Sequence, residues 1–149
     1  MKVELEKELY KNNIEILDRK RYKDHQRCPY ILYGTQCQDG WYNIIKELLL
    51  KIKKICGVRG VEYPIITQIK EKFGILRVYY SFAEGEEDHP YYEEVGKEIH
   101  DAIHDAVEVS KVSCEVCGAP GILKTINRPI GIWLKTLCDK HFQDQVEKK

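Results

Sequence analysis

Four residues of this chain have the types and spacing of a metal-ligand set: Cys114, Cys117, Cys138 and His141. The pattern is C-x2-C, twenty intervening residues, then C-x2-H. Three thiolates and an imidazole in two short pairs suit a closed tetrahedral zinc site. A spacing of two residues lets both side chains of one tight turn reach the same ion. Gly118 follows the first pair and Pro120-Gly121 comes soon after, so the chain can turn back and aim backbone N–H groups at sulfur. The competing reading, two disulfides or unrelated core thiols, does not account for the paired spacing. Between the pairs the sequence predicts a hairpin, with strands over 122–126 and 130–137 and a turn at Asn127-Arg128-Pro129. The second pair sits where a strand end passes into a helix. Knuckle, hairpin and helix together predict a treble-clef-like zinc module.

With four protein ligands no coordination position is left for a reactive water, so the expected zinc is structural. A module this short cannot bury a sufficient core of its own. Metal binding, worth about 10–16 kcal/mol in small peptide sites, takes over that role.

A second group of residues has the chemistry to bind an anion. Lys70, Lys72 and Arg77 flank one predicted hairpin, with Phe73 at its turn and Tyr79 two residues along from Arg77. Cations beside aromatic rings suit a phosphate-bearing ligand with a base to stack. Arg128, Trp133 and Lys135 in the second hairpin could extend that patch. The plainer alternative is ordinary charge on a solvated turn. His100 and His104 are spaced i, i+4 with Asp101 and Asp105 nearby, but the sequence lacks the Glu that a metalloprotease helix carries after its first His. No Ser or Cys nucleophile has a local base, and no Gly-rich phosphate loop is present. The acidic stretch over 84–88 is too irregular for a calcium loop. Cys28 and Cys37 could belong, with His25, to an incomplete second metal site, or be small buried thiols. The irregular spacing favours buried thiols, and Cys56 reads as core.

The elements that must position these groups follow from periodicity. Residues 4–20 are helical in composition, and 22–40 read as a loop. Asp39 is a candidate N-cap for a helix over 41–56, whose apolar positions 41, 44, 45, 48, 49, 52 and 55 have helical spacing and which Gly57 should stop. Strands are predicted over 64–70 and 75–82, close enough for an antiparallel hairpin, with Leu76, Val78, Tyr80 and Phe82 on the core face. A further helix is predicted over 91–110. The order implies an α+β fold: helices on a small antiparallel sheet over 1–110, and a zinc module over 111–149 packed on it.

Composition bounds the function. The chain has 149 residues, 43% hydrophobic and 32% charged, as in an ordinary globular protein. Lys plus Arg and Asp plus Glu both number 24, so no global basic field draws it to nucleic acid. No apolar stretch approaches a membrane span and no signal-peptide pattern is seen, so an intracellular location with reduced thiols is expected.

Four segments occur in a telling order: Asp39-Gly40-Trp41-Tyr42, the run from Gln68 through Lys70-Glu71-Lys72-Phe73-Gly74 to Leu76-Arg77, Cys114-Glu115-Val116-Cys117-Gly118, and Trp133 through Cys138 to His141. The arrangement resembles a family of small phage and prophage proteins over nearly the whole chain. The family's usual cysteine midway along the first long helix is replaced here by Leu48-Leu49-Leu50. A Gly-Gly before the hairpin tryptophan is replaced by Ile130-Gly131-Ile132, and both departures count against a second metal site near Cys28 and Cys37. The resemblance implies a phage origin, the cytoplasm of an infected bacterial host and an accessory role; it supplies no reaction. The expected function is non-enzymatic binding of a nucleotide-like anionic small molecule, such as a sequestered host immune signal. A zinc-dependent nucleic-acid-binding protein, or an inhibitor that binds a host enzyme through ten tyrosines and two tryptophans, are the alternatives.

Overall fold

The computed structural model describes residues 1–21 and 28–147, and their fold is α+β. Helices α1 (Val3–Asn12), α2 (Ile14–Leu17) and α3 (Pro29–Tyr33) lead into the short strand β1 (Thr35–Gln36). The long helix α4 (Tyr42–Arg59) precedes the hairpin of β2 (Ile65–Lys72) and β3 (Ile75–Ser81), and helix α5 (Tyr92–Lys111) follows. A second hairpin, β4 (Ile122–Arg128) and β5 (Gly131–Leu137), runs into helix α6 (Asp139–Glu147).

The main sheet has the order β1-β2-β3. β2 and β3 are antiparallel, from Ile65 opposite Ser81 to Lys72 opposite Ile75, with a register shift between Ile66 and Gln68. β1 adds in parallel, Thr35 opposite Ile69 and Gln36 opposite Lys70, so the sheet is mixed rather than purely antiparallel. α4 buries Ile45, Leu48, Leu49, Ile52 and Cys56, the stripe that a 3.6-residue period demands. It runs straight through the expected stop at Gly57 and ends at Gly60, which adopts φ +67° and caps the Cys56 carbonyl. α5 buries Val95, Ile99, Ala102 and Ala106 and packs on both α4 and β3. The helix closest to β3 is therefore α5, with α4 completing the core that includes Ile66, Ile69, Leu76 and Val78. Leu48 is 3% exposed between α4 and α5. Leu48→Ala is expected to lower stability by about 2–5 kcal/mol in a chemical denaturation series; a loss below about 0.5 kcal/mol would show the stripe to be misassigned.

The N-terminal segment departs from the continuous helix expected over 4–20. Asn13, buried at φ −137°, donates through Nδ2 to the Leu9 carbonyl and divides α1 from α2. The break allows Leu9, Ile16 and Leu17 all to enter the core. The stretch expected as loop contains α3, opened by Pro29 at its first turn, and β1. Asp39 does not cap α4: its carboxylate accepts the Lys2 backbone N–H at 2.7 Å and pairs with the Lys2 ammonium.

Candidate metal centre

The knuckle after α5, the end of β5 and the start of α6 bring Cys114, Cys117, Cys138 and His141 together. Their ligand atoms all lie within 4.8 Å of one another, and no other such group occurs among the described residues. Cys114 Sγ is 3.5 Å and Cys138 Sγ 3.2 Å from His141 Nδ1; Cys117 Sγ is 3.9 Å from Cys138 Sγ. Edges of about 3.5–3.8 Å are what tetrahedral ligation requires at Zn–S near 2.3 Å and Zn–N near 2.0–2.1 Å. The three cysteines are free thiols, and the group could hold a metal ion through Nδ1 of His141. A small core of Cys114, Ile126 and Leu137, with Val116 and Phe142 against it, backs the site.

The thiols differ in acidity. The backbone N–H of His141, with the imidazole adding to it, pulls the Cys138 thiol down to about 7. At Cys117 the Ala119 N–H favours the thiolate, but desolvation and the Cys114 and Cys138 sulfurs outweigh it and raise the pKa. A cation at the centre would favour the thiolate form of all three.

The site is held against the main sheet by two seams, which the sequence reading did not anticipate. At the first, Gly40 meets the knuckle: its N–H donates to the Glu115 carbonyl at 2.8 Å. A Cβ there would stand 2.2 Å from the Cys114 carbonyl oxygen and 2.4 Å from the Gly118 nitrogen, so no side chain fits. The fully buried Trp41 donates through Nε1 to the Ser113 carbonyl at 2.9 Å. At the second seam, the β2–β3 turn meets β5. The Gly74 carbonyl accepts the buried Thr136 hydroxyl at 2.6 Å, and a Cβ on Gly74 would stand 2.3 Å from Leu123 Cδ1.

Glu115, between the first two ligands, links both seams. It is 1% exposed, accepts the Gln38 backbone N–H at 3.2 Å and pairs with Lys135 Nζ at 2.9 Å. The same ammonium pairs with Glu71 at 2.5 Å, while the other Glu71 oxygen accepts the Gly74 N–H at 2.6 Å. Burial works against the Lys135 charge, but the two carboxylates prevail and raise its pKa. Two carboxylates around one ammonium are a costly arrangement to desolvate, and breaking it from one side would strand a buried charge.

This network takes Lys135 out of the expected anion patch, because its charge is already met by Glu71 and Glu115. The other residues of that patch divide into three places. Lys70 and Arg77 sit opposite each other on the outer face of the sheet, and Lys70 Nζ lies over the exposed Tyr79 ring at 5.6 Å. Lys72 lies over Phe73 at 5.1 Å at the turn. Phe73 is 63% exposed at φ +57°, and with Gly74 also at positive φ the turn has the type I′ pattern. Arg128 reaches Gln145 of α6 at 2.8 Å and lies over Trp133 at 5.6 Å. Phe73 and Trp133 line one cleft of about 340 Å³ with Ile132 and Leu134. Cys28 and Cys37 are buried; the Cys28 thiol donates to the Thr67 carbonyl at 3.5 Å, and burial, reinforced by Glu115, pushes the Cys37 thiol up to about 12. His25 lies outside the described residues. His100 and His104 are exposed, the latter 3.7 Å from Glu108.

No family model matches this chain, and no similar curated protein or solved structure is found. Among the described residues no helix is long and apolar enough to cross a membrane.

Proposed function

We propose that the cysteine–histidine cluster is a structural zinc site in a treble-clef-like module, and that the protein is a non-enzymatic binder of a nucleotide-like anion. The zinc reading rests on a ligand set with no position left for water. The binding reading is carried by one observation. Lys70, Lys72 and Arg77 have no carboxylate partner among the described residues, whereas Lys124 has one and Arg59 and Lys135 have two each. Lys70 lies over the exposed Tyr79 ring and Lys72 over the exposed Phe73 ring, Arg77 stands opposite Lys70, and the Phe73–Trp133 cleft opens at the hairpin tip. Phosphate on the cations and a base against a ring is the chemistry such a surface supports. The balanced net charge favours a small ligand over a long polyanion. With the phage resemblance, this supports an accessory role in an infected bacterium, in which a host nucleotide signal is held rather than cleaved.

Calorimetry against cyclic and linear nucleotides, beside a DNA duplex, tests the reading. Micromolar or tighter nucleotide binding is expected, weakening with salt, and ligand should be recovered intact after heat denaturation. Arg77→Ala is expected to weaken it about ten- to hundredfold while the melting curve is retained. Binding of duplex alone would replace this reading with the nucleic-acid one. Phe73, Ile132 and Trp133 are respectively 63%, 68% and 45% exposed around one cleft, which favours a protein partner as the second reading. Failure of every nucleotide together with capture of a host enzyme would select it.

A further inference from the structure

A larger cavity than the Phe73–Trp133 cleft lies elsewhere, where β3 runs out past the start of α5. It is open, about 700 Å³, and its walls are Tyr80, Phe82 and Tyr92, with Glu84, Glu87 and Glu93 around them. The Tyr80 and Phe82 rings stand nearly perpendicular, at 87° with centroids 5.6 Å apart; Phe82 and Tyr92 are 4.8 Å apart at 57°. The three rings meet at steep mutual angles where they line the cavity. The Tyr80 hydroxyl donates to the Gly96 carbonyl at 3.3 Å, which fixes that ring against α5. Gly96 itself lines the cavity, so that position of α5 contributes no side chain to fill it. A Cβ at Gly96 would touch only Phe82 Cε2, at 4.0 Å, so backbone crowding does not explain this glycine.

Among the described residues the lining includes Glu87 and Glu93 and no Lys or Arg, although the chain as a whole is neutral. Aromatic faces carry negative potential of their own, so rings and carboxylates favour the same kind of guest. A hard divalent ion does not suit the site: ring faces are poor ligands for it, and these glutamates do not converge as a metal-binding group. A bulky, weakly hydrated cation fits both the box and its rim. We propose that Tyr80, Phe82 and Tyr92 form an aromatic cage for a quaternary ammonium group, with Glu87 and Glu93 supplying longer-range attraction. The group could be carried by a small free amine or by a methylated lysine side chain; the recognised chemistry is the same. This site shares strand β3 with the cationic patch but none of that patch's residues, and it does not depend on the nucleotide reading.

The test uses the metal-loaded full chain and three probes: choline, its neutral isostere 3,3-dimethylbutan-1-ol, and a trimethyllysine peptide. Aromatic side-chain NMR signals are followed during titration. Choline is expected to shift the Tyr80, Phe82 and Tyr92 signals and to bind at least about tenfold more tightly than the isostere. Tighter binding of the peptide would assign the group to a protein side chain, and tighter binding of choline to a free amine. Gly96→Leu, which fills the cavity from a helical position, is expected to remove the shifts while the circular dichroism and melting curve of the fold persist. Phe82→Leu, which keeps apolar bulk without a ring, should weaken choline more than the isostere. Equal binding of choline and its isostere, absence of shifts at tens of millimolar choline, or undiminished binding by a folded Gly96→Leu variant would each overturn the proposal.

Discussion

Cys114→Ser is expected to abolish stoichiometric zinc and to unfold the β4–β5 hairpin and α6, while α4 and α5 remain helical. Cys114 is fully buried in the small core of Ile126 and Leu137, and its carbonyl accepts the Gly118 N–H that closes the knuckle. That core holds three buried residues, too few to offset the ordering of the hairpin and α6 without a metal. Loss of one ligand should forfeit most of the roughly 10–16 kcal/mol that structural zinc supplies in small sites. Elemental analysis should fall from one zinc per chain to near zero, and amide exchange should quicken over 114–147 but not in α4. Acidification should release the metal from the natural chain, because protons compete for the thiolates and imidazole. A variant that keeps one zinc and melts unchanged would refute the assignment.

Gly40→Ala should be nearly as damaging, although Gly40 is no ligand. Its added methyl would lie 2.2 Å from the Cys114 carbonyl and 2.6 Å from the Cys117 nitrogen, both backbone atoms of the metal knuckle. Side chains can rotate away from such an intrusion, whereas this backbone is tied by its hydrogen bonds. The knuckle and body must therefore separate, losing the Gly40–Glu115 and Trp41–Ser113 bonds with them. The expected loss is about 3 kcal/mol or more, above the usual range for one extra methyl in a core. Thermal unfolding of the zinc-loaded protein checks this. Zinc affinity should fall as well, since the metal then binds a module with no support. A melting temperature within about 2 °C of the natural chain would show that the seam yields easily.

These two predictions mark where sequence reading succeeded and where it stopped. The cysteine–histidine cluster was legible because its chemistry is written in local spacing: each pair lies within one turn. α4, α5 and both hairpins were legible because each carries a period that its own residues set. Gly57 misled because an isolated glycine is tolerated inside a helix whose stripe continues to Cys56, and only Gly60 adopts positive φ. β1 is two residues long and exists by pairing with β2, so nothing local announces it. The roles of Gly40, Glu71, Gly74 and Glu115 were hidden for the same reason. Their partners lie across the seams of a docked module, and locally Glu71 reads as a surface charge and Lys135 as part of an anion patch. Two of the segments that carry the resemblance, Asp39-Gly40-Trp41 and Lys70-Glu71-Lys72-Phe73-Gly74, turn out to hold much of the docking surface.

The length of chain between docking partners has a kinetic consequence. Trp41 finds Ser113 across 72 residues, Gln38 finds Glu115 across 77, and Gly74 finds Thr136 across 62. Loop closure over such spans is slow relative to forming α4 or the β2–β3 hairpin, and its entropy must be met before the contacts repay it. If the cluster holds the proposed zinc, the groove around Gly40 and Trp41 stays open on the ribosome until Cys138 and His141 have emerged and captured the ion. On that reading the availability of metal is a clock for maturation. In metal-poor cells the nascent body would wait with its tryptophan uncovered, the stage most exposed to chaperones and proteases.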